Sequence, residues 1–302
     1  MLKKSGRALT FLAGEMLAMQ IGSRLPTFTQ YAEQTRFSRG TLQAAISALE
    51  SIGAVVLINR GHMGRFLVSK DMTILMECIG MTSVTGIMPL PYTKVYEGLA
   101  TGINTTIEKN SSLSVNLAYM RGSENRILSL INRRCDFVIT SKNAAAFAIQ
   151  KGYDIAILKD FGKGSFLRGH SIVFSKAEFT SIVPGMKIGV DPESFDHVYL
   201  SNIAVGGYEV EYVNINYNQI MSMINDGKID AAVWNTDNIL EGFAAINHVP
   251  LIAKDISGND VAVMLIAREN RLISMILNEY ADVGAILDKQ QKVINSEIYP
   301  TY

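Results

Sequence analysis

Tryptophan occurs once in 302 residues, cysteine twice, histidine four times and proline seven times. Cys78 and Cys135 stand far apart, which excludes a disulfide framework and a cysteine metal site and points to a reducing compartment. His62, His170, His197 and His248 are too widely spaced for a zinc motif, so no metal is expected. No GxSxG elbow, HExxH or CxxC occurs. Gly162-Lys163-Gly164-Ser165 has neither the Lys-Ser/Thr of a phosphate loop nor dinucleotide-binding spacing. The chain therefore reads as no enzyme, with no cofactor. No apolar run approaches the ~20 residues that span a bilayer. Lys3 and Lys4 followed by Ala8–Ala13 imitate a signal peptide, but Glu15 interrupts the run and a patterned helical unit follows at once. The expectation is a soluble, cytoplasmic chain with no membrane partner.

A net charge is also missing, with 28 basic against 28 acidic residues. The balance hides a dipole. Residues 1–70 carry nine basic and three acidic side chains, net +6, and the remaining 232 carry 19 against 25, net −6. A basic head on an acidic body suggests that the head alone meets polyanions. What is abundant is apolar: 48% hydrophobic residues and 19% charged exclude a disordered chain, and the length supports a sizeable core.

The head reads as helices. Apolar residues at 8, 9, 11, 12, 16, 17 and 19 form a helical stripe. Pro26 ends that segment and Thr27 caps a second helix over 28–35. Ser38 caps a third over 39–52, with Leu42, Ala45, Ile46 and Leu49 inward and Gly53 at its close. Two β runs, 55–59 and 66–69, flank the basic tip Arg60–Arg65. This is the pattern of a winged helix-turn-helix. Ser38, Arg39, Gly40, Thr41 and Gln43 then lie nearest DNA, with hydroxyls suited to phosphate and Arg or Gln to base edges. Arg60, His62 and Arg65 suit phosphate or minor-groove contact, and Thr27 and Arg36, flanking the second helix, are counted with them. The bland alternative is a small helical unit with a solvated basic face. The expected partner is a double-stranded DNA operator, bound by a homodimer because a two-fold protein reads a palindrome.

In the body, strands expected at 84–88, 113–119, 136–140, 154–158, 171–175, 187–190, 209–214, 230–234, 250–253 and 261–267 alternate with helices. The helices are expected at 93–109, 123–133, 143–151, 197–205, 217–226, 236–246 and 269–289. Alternation indicates an α/β fold with mostly parallel strands. A unit of helix, short turn, Asp and apolar strand recurs, once at Asp136–Thr140 and again at Asp230–Trp234. Such duplication suits a two-lobed, periplasmic-binding-protein-like domain; one large doubly wound sheet is the alternative. The expected domains are 1–70 and 74–302, with lobe 1 about 74–175 and 255–302 and lobe 2 about 176–254.

The head resembles the GntR-type winged helix at Leu25-Pro26-Thr27, Tyr31-Ala32-Glu33-Gln34, Ser38-Arg39-Gly40-Thr41, Leu49-Glu50, Gly53 and Arg60-Gly61 with Gly64, departing at Phe28 and Gln43. The body resembles the C-terminal, type-2 periplasmic-binding-protein-like domain of the YhfZ family of proposed transcriptional regulators. The carrying residues are Pro91–Gly102, Asp160–Ser165 with His170, Gly189–Ser194 and Gly227–Asn235. The resemblance implies a ligand-responsive DNA-binding regulator and supplies no ligand.

In two-lobed sheets, ligands sit outside the C-terminal ends of strands, against helix N-termini. By that rule the candidates are Pro91, Tyr92 and Thr93; Thr140 and Ser141; Gly164 and Ser165; Asp191 and Ser194; and Trp234 and Asn235. Hydroxyls, amides and glycine turns suit a small anionic metabolite. The same residue types are also ordinary turn and cap formers. Trp234 reads first as core packing, with a stacking role at its strand end left open, and the sequence leaves open whether Glu97 and His170 reach the cleft. An enzyme with an accessory winged helix is the rival reading.

Overall fold

Helical periodicity in the first eighty residues becomes α1 (Lys4–Ala18), α2 (Phe28–Thr35) and α3 (Arg39–Ser51), then the hairpin β1 (Val55–Asn59) and β2 (Arg65–Lys70), in a computed structural model that describes residues 4–240, 246–253 and 258–302. Thr27 accepts from the backbone N–H of Gln30, whose side chain reaches back to the Thr27 N–H, and Ser38 accepts from Thr41. The expected stripe of α3 (Leu42, Ala45, Ile46, Leu49) is buried. A further helix, α4 (Met72–Ile79), was not expected: its segment is nearly all apolar, so it shows no polar face to reveal a period. Asp71 caps it and it packs on α1. These elements form one unit, Met1–Ser83 with Glu108–Ser114 and Arg271–Ile276.

The second unit comprises Val84–Ile107, Val115–Asn270 and Leu277–Tyr302. Two five-stranded sheets build it, not one doubly wound sheet. The first contains β3 (Ser83–Met88), β4 (Ser114–Tyr119), β5 (Phe137–Ser141), β6 (Ile155–Lys163) and β12 (Val261–Ala267), in the order β4-β3-β5-β12-β6. The second contains β7 (His170–Phe174), β8 (Lys187–Val190), β9 (Glu211–Asn214), β10 (Ala231–Asn235) and β11 (Asn247–Pro250), in the order β11-β7-β10-β8-β9. The chain crosses between sheets after β6 and returns after β11.

Five expectations need correction. The strand at 171–175 was assigned to lobe 1, but β7 pairs with β10 and β11 and so begins lobe 2. The strands are mixed in direction: β3–β5, β8–β9 and β8–β10 are parallel, whereas β12 runs antiparallel to β5 and β6 and β7 antiparallel to β10 and β11. Both exceptions are strands that enter directly from the other sheet, a route that α/β alternation does not reveal. The single helix at 269–289 is two, α11 (Arg271–Tyr280) and α12 (Val283–Ile294), broken where extended Asp282 caps α12 through Ala285. The strand expected at 250–253 lies at 247–250. The helix expected at 236–246 is α10 (Thr236–Leu240); 241–245 lie outside the described residues.

The remaining helices are α5 (Lys94–Asn110), α6 (Ser123–Ile131), α7 (Lys142–Gln150), α8 (Phe195–Val205) and α9 (Ile220–Asn225). The repeated Asp has one role in both lobes. Asp136 Oδ2 accepts from Thr85 N at 2.8 Å while its own N–H donates to Thr85 O; Asp230 does the same with Lys187 at 2.8 Å. Each locks the start of a central strand to its parallel neighbour. A left-handed residue precedes each, Arg133 at φ 56° and Gly227 at φ 64°. Within the second sheet β10 is buried on both faces, Ala231 and Val233 to one side, Ala232 and Trp234 to the other.

Helix α5 lies directly on the backbone of α12. A Cβ at Gly102 would sit 2.4 Å from Ile286 O, and one at Gly98 would sit 2.7 Å from Gln290 O. Gly102→Ala should gain about 1 kcal/mol of helix propensity but lose more by forcing the helices apart, with overpacking costing roughly 1–3 kcal/mol. The expected outcome is a lower unfolding midpoint in urea. Gly14→Ala, whose Cβ would meet Ile79 Cγ2 at an ordinary 3.9 Å, should raise stability instead.

Candidate functional site

On the head, α3 buries one face and leaves Arg39, Gly40, Gln43, Ala44 and Ser47 exposed, with no carboxylate on the helix before Glu50. Thr27, Arg36, Ser38, Arg60 and His62 are exposed, and Thr41 and Arg65 half-buried. Three of these carry structural duties as well. The hydroxyls of Thr27 and Ser38 are helix caps, and Arg36 sits at φ 61°, closing α2 through its N–H to Ala32 O. At the wing, the strands pair from Val55↔Lys70 to Asn59↔Arg65. Arg60 packs over Phe66 at 4.9 Å and Arg65 over Phe28 at 5.3 Å, so aromatic rings orient both guanidinia. Phe28, a departure from the GntR-type pattern, thus supports the wing.

Between the two lobes of the body lies a cavity of about 110 Å³. The first lobe contributes Tyr92, Tyr96, Ser123 and Arg126; the second contributes Asp191, Ser194, Asp196, His197, Tyr217, Asn235 and Asn238. Helix α6 opens into it. Its N-cap is Gly122, at φ 80°, which has no side chain to cap the first turn. Among the described residues the Ser123 hydroxyl, buried, has no hydrogen-bond partner, nor has Asn238 Oδ1 across the cavity. Arg126 is buried on the same helix, donating from Nε to Ile139 O at 3.1 Å and from Nη1 to Met120 O at 2.9 Å. No carboxylate lies within 4 Å of it among the described residues, and burial lowers its pKa to about 10.

The other ionisable groups are set by burial. It pushes the Asp196 carboxyl up to about 6, although Ser141 Oγ and Asn259 Nδ2 donate to it at 2.6 and 2.8 Å. His197 accepts from Asp191 N at Nδ1 and lies 2.8 Å from Val233 O at Nε2, which fixes the neutral tautomer with the proton on Nε2. His170 also lines the cavity, its pKa lowered by burial to about 3. Glu97 does not line it; Tyr302 OH lies 3.4 Å from Glu97 Oε1.

The lobes meet around the cavity. Arg121 of the first donates to Glu193 at 2.6 Å, lies 3.6 Å from Asp191 and bonds Asn216. Phe147 stacks on Phe195 at 4.1 Å, and Ser141 bonds Asp196. A Cβ on Gly122 would lie 2.8 Å from Glu193 O, so glycine is what lets the seam close.

Of the residues expected at the cleft, Tyr92, Asp191, Ser194 and Asn235 line the cavity; the other seven do not. Thr93 accepts from Tyr96 N inside α5's first turn, and Ser141 caps α7 through Ala144 N. Ser165 is consumed by Gly162 O and Ala262 N. Trp234 is core, Thr140 is buried within β5, and Pro91 and Gly164 stand on the turns beside. The sequence reading missed Ser123, Arg126 and Asn238. A signal for one existed: Arg126 falls on the stripe Ser123, Arg126, Ile127, Leu130, an inward position where an arginine is out of place. Among the described residues, no His, Cys, Asp and Glu cluster could hold a metal ion and no helix is long and apolar enough to cross a membrane.

Comparison with known proteins covers both parts of the chain. The YhfZ C-terminal domain matches residues 71–302 and a helix-turn-helix domain matches residues 20–67. Over 306 aligned residues the chain is 31% identical to the protein YhfZ of Escherichia coli (strain K12), covering 100% of this chain and 98% of that one. The crystal structure of YhfZ from Shigella flexneri matches with a TM-score of 0.62 at 27% identity, over 76% of this chain and 97% of the other. The alkanesulfonate-binding protein SsuA from Xanthomonas axonopodis pv. citri matches with a TM-score of 0.52 at 13% identity, over 72% of this chain and 80% of its own, a likeness of fold that makes the body periplasmic-binding-protein-like. With a family match over more than two thirds of its length and a full-length relative at 31% identity, this chain belongs to the YhfZ family.

Proposed function

We propose that the chain is a DNA-binding transcriptional regulator whose head reads an operator and whose two-lobed body closes on a small molecule presenting an anionic group to α6. The helix-turn-helix match and the exposed face of α3, which carries no acid before Glu50, support the first half. One observation carries the second: a buried guanidinium with no carboxylate within 4 Å among the described residues, an unpartnered serine hydroxyl and an uncapped helix N-terminus converge on one cavity. An anion would satisfy all three. His197 has both ring nitrogens committed to backbone, which supports binding rather than acid–base chemistry at this wall. A ligand regulates only if it prefers one lobe arrangement, so effect on DNA affinity is a separate measurement from binding.

DNA affinity of Arg39→Ala should fall by ~1–3 kcal/mol with relaxed preference at one base pair, if it reads a guanine. Arg65→Ala should weaken all sequences alike and reduce the salt slope by roughly 0.9. Parent-like binding by both would remove α3 and the wing from the interface. On a palindromic operator two copies should bind, so sedimentation of the complex should show a dimer.

For the cavity, a thermal-shift screen of the full chain with inorganic phosphate and short carboxylates should give a hit; at 100 times its Kd a ligand stabilises by about 2.7 kcal/mol. The hit should vanish in Arg126→Met and weaken in Ser123→Ala. A hit indifferent to both places the site elsewhere. A metabolite that is consumed, with DNA retention unaffected, would replace the regulator with an enzyme bearing an accessory winged helix.

A further inference from the structure

Among the described residues, the charged side chains of the cavity wall are Arg121, Arg126, Asp191 and Asp196. Arg121 and Asp191 answer each other at 3.6 Å. That leaves Arg126 in the first lobe, buried, and Asp196 in the second, half-buried, each without an ion-pair partner within 4 Å among the described residues. They act on one another through the cavity's field without touching. Each side also offers an unpartnered neutral group: Ser123 Oγ beside Arg126, and Asn238 Oδ1, which only accepts, in the second lobe. The wall already sums to zero charge, so a ligand of net charge would leave one unpaired group unanswered. A ligand with both signs answers both.

We propose that the cavity takes a small zwitterion, a compact amino acid whose carboxylate meets Arg126, Ser123 and the start of α6 and whose ammonium faces Asp196 and Asn238. This rests on the reading of the cavity as an effector site and adds the ligand's second charge. The cavity's 110 Å³ is on the scale of a small amino acid, and because the cavity opens to one side it sets no limit on the side chain. Because the two charges belong to different lobes, such a ligand ties the lobes together, as a monopolar anion held on α6 alone does not.

The experiment is calorimetric titration of the full chain with alanine, lactate and ethylamine. Lactate keeps alanine's shape and carboxylate but replaces the ammonium by hydroxyl, and ethylamine lacks the carboxylate. Alanine should bind at least tenfold tighter than either. Asp196→Asn and Arg126→Met should each weaken alanine tenfold or more; their melting temperatures without ligand show whether they fold. The parent protein supplies a second readout. The groups acting on the Asp196 carboxyl are Arg126 from α6 and Tyr96 from α5, with Ser141 and Asn259 donating; Lys142 on α7 is paired with Asp160, and His197 on its own helix is held neutral. Protonation near pH 6 removes the charge that meets the ammonium, so alanine affinity should fall about tenfold from pH 7 to pH 5, where alanine itself does not titrate. Lactate binding as tightly as alanine, or alanine insensitive to both Asp196→Asn and pH, overturns the zwitterion. Inorganic phosphate binding through Arg126 while alanine does not bind overturns it too, yet leaves the anion site standing. Failure of every probe at Arg126 removes both.

Discussion

Arg126 is buried where no carboxylate among the described residues answers it, and the body is arranged around that fact. A desolvated charge costs several kcal/mol unless hydrogen bonds and opposite charge compensate it. Two backbone carbonyls do part of this, Met120 O after β4 and Ile139 O within β5, and in accepting from the guanidinium they fix α6 against both strands. The rest of the compensation is left to what enters the cavity. A protein selected only for stability would place leucine at this inward position of α6. Its neighbours follow the same logic: the helix begins at a glycine that cannot cap it, and its first hydroxyl has no partner.

Closure of the seam depends on small size as much as on charge. Gly122 permits the Glu193 backbone to approach, and Arg121 then reaches Asp191, Glu193 and Asn216 in the opposite lobe. Asp196 joins Ser141 across the seam while remaining short of positive charge. Arg121, Gly122, Asp191 and Asp196 both join the lobes and line the cavity, so occupancy and lobe position are coupled through shared residues.

How much was legible differs between the two units. In the head, local rules suffice: the α3 stripe, the Thr27 and Ser38 caps and the glycine-tipped wing each depend on residues within a few positions of one another. In the body, alternation gave the elements and the repeated Asp gave the duplication, but not the strand directions. Thr93, Ser141 and Ser165 show the limit most clearly. A hydroxyl at a strand end or helix start serves equally well as a cap, a core hydrogen bond or a ligand contact, and here all three satisfy their own chain. Asn238, in short α10, carried no pattern at all.

What the sequence determined alone is therefore whatever neighbouring residues decide between themselves: helix limits, the wing, the basic head and acidic body, and a duplicated α/β unit. Which strands share a sheet, that β7 belongs to the second lobe, and which polar groups stay unpaired were decided by the tertiary structure. An unpaired buried group is defined by the absence of partners from the whole chain, and no local pattern contains that information. Arg126 and Asp196 lie seventy residues apart in sequence, and only the closure of two lobes makes them opposite walls of one cavity.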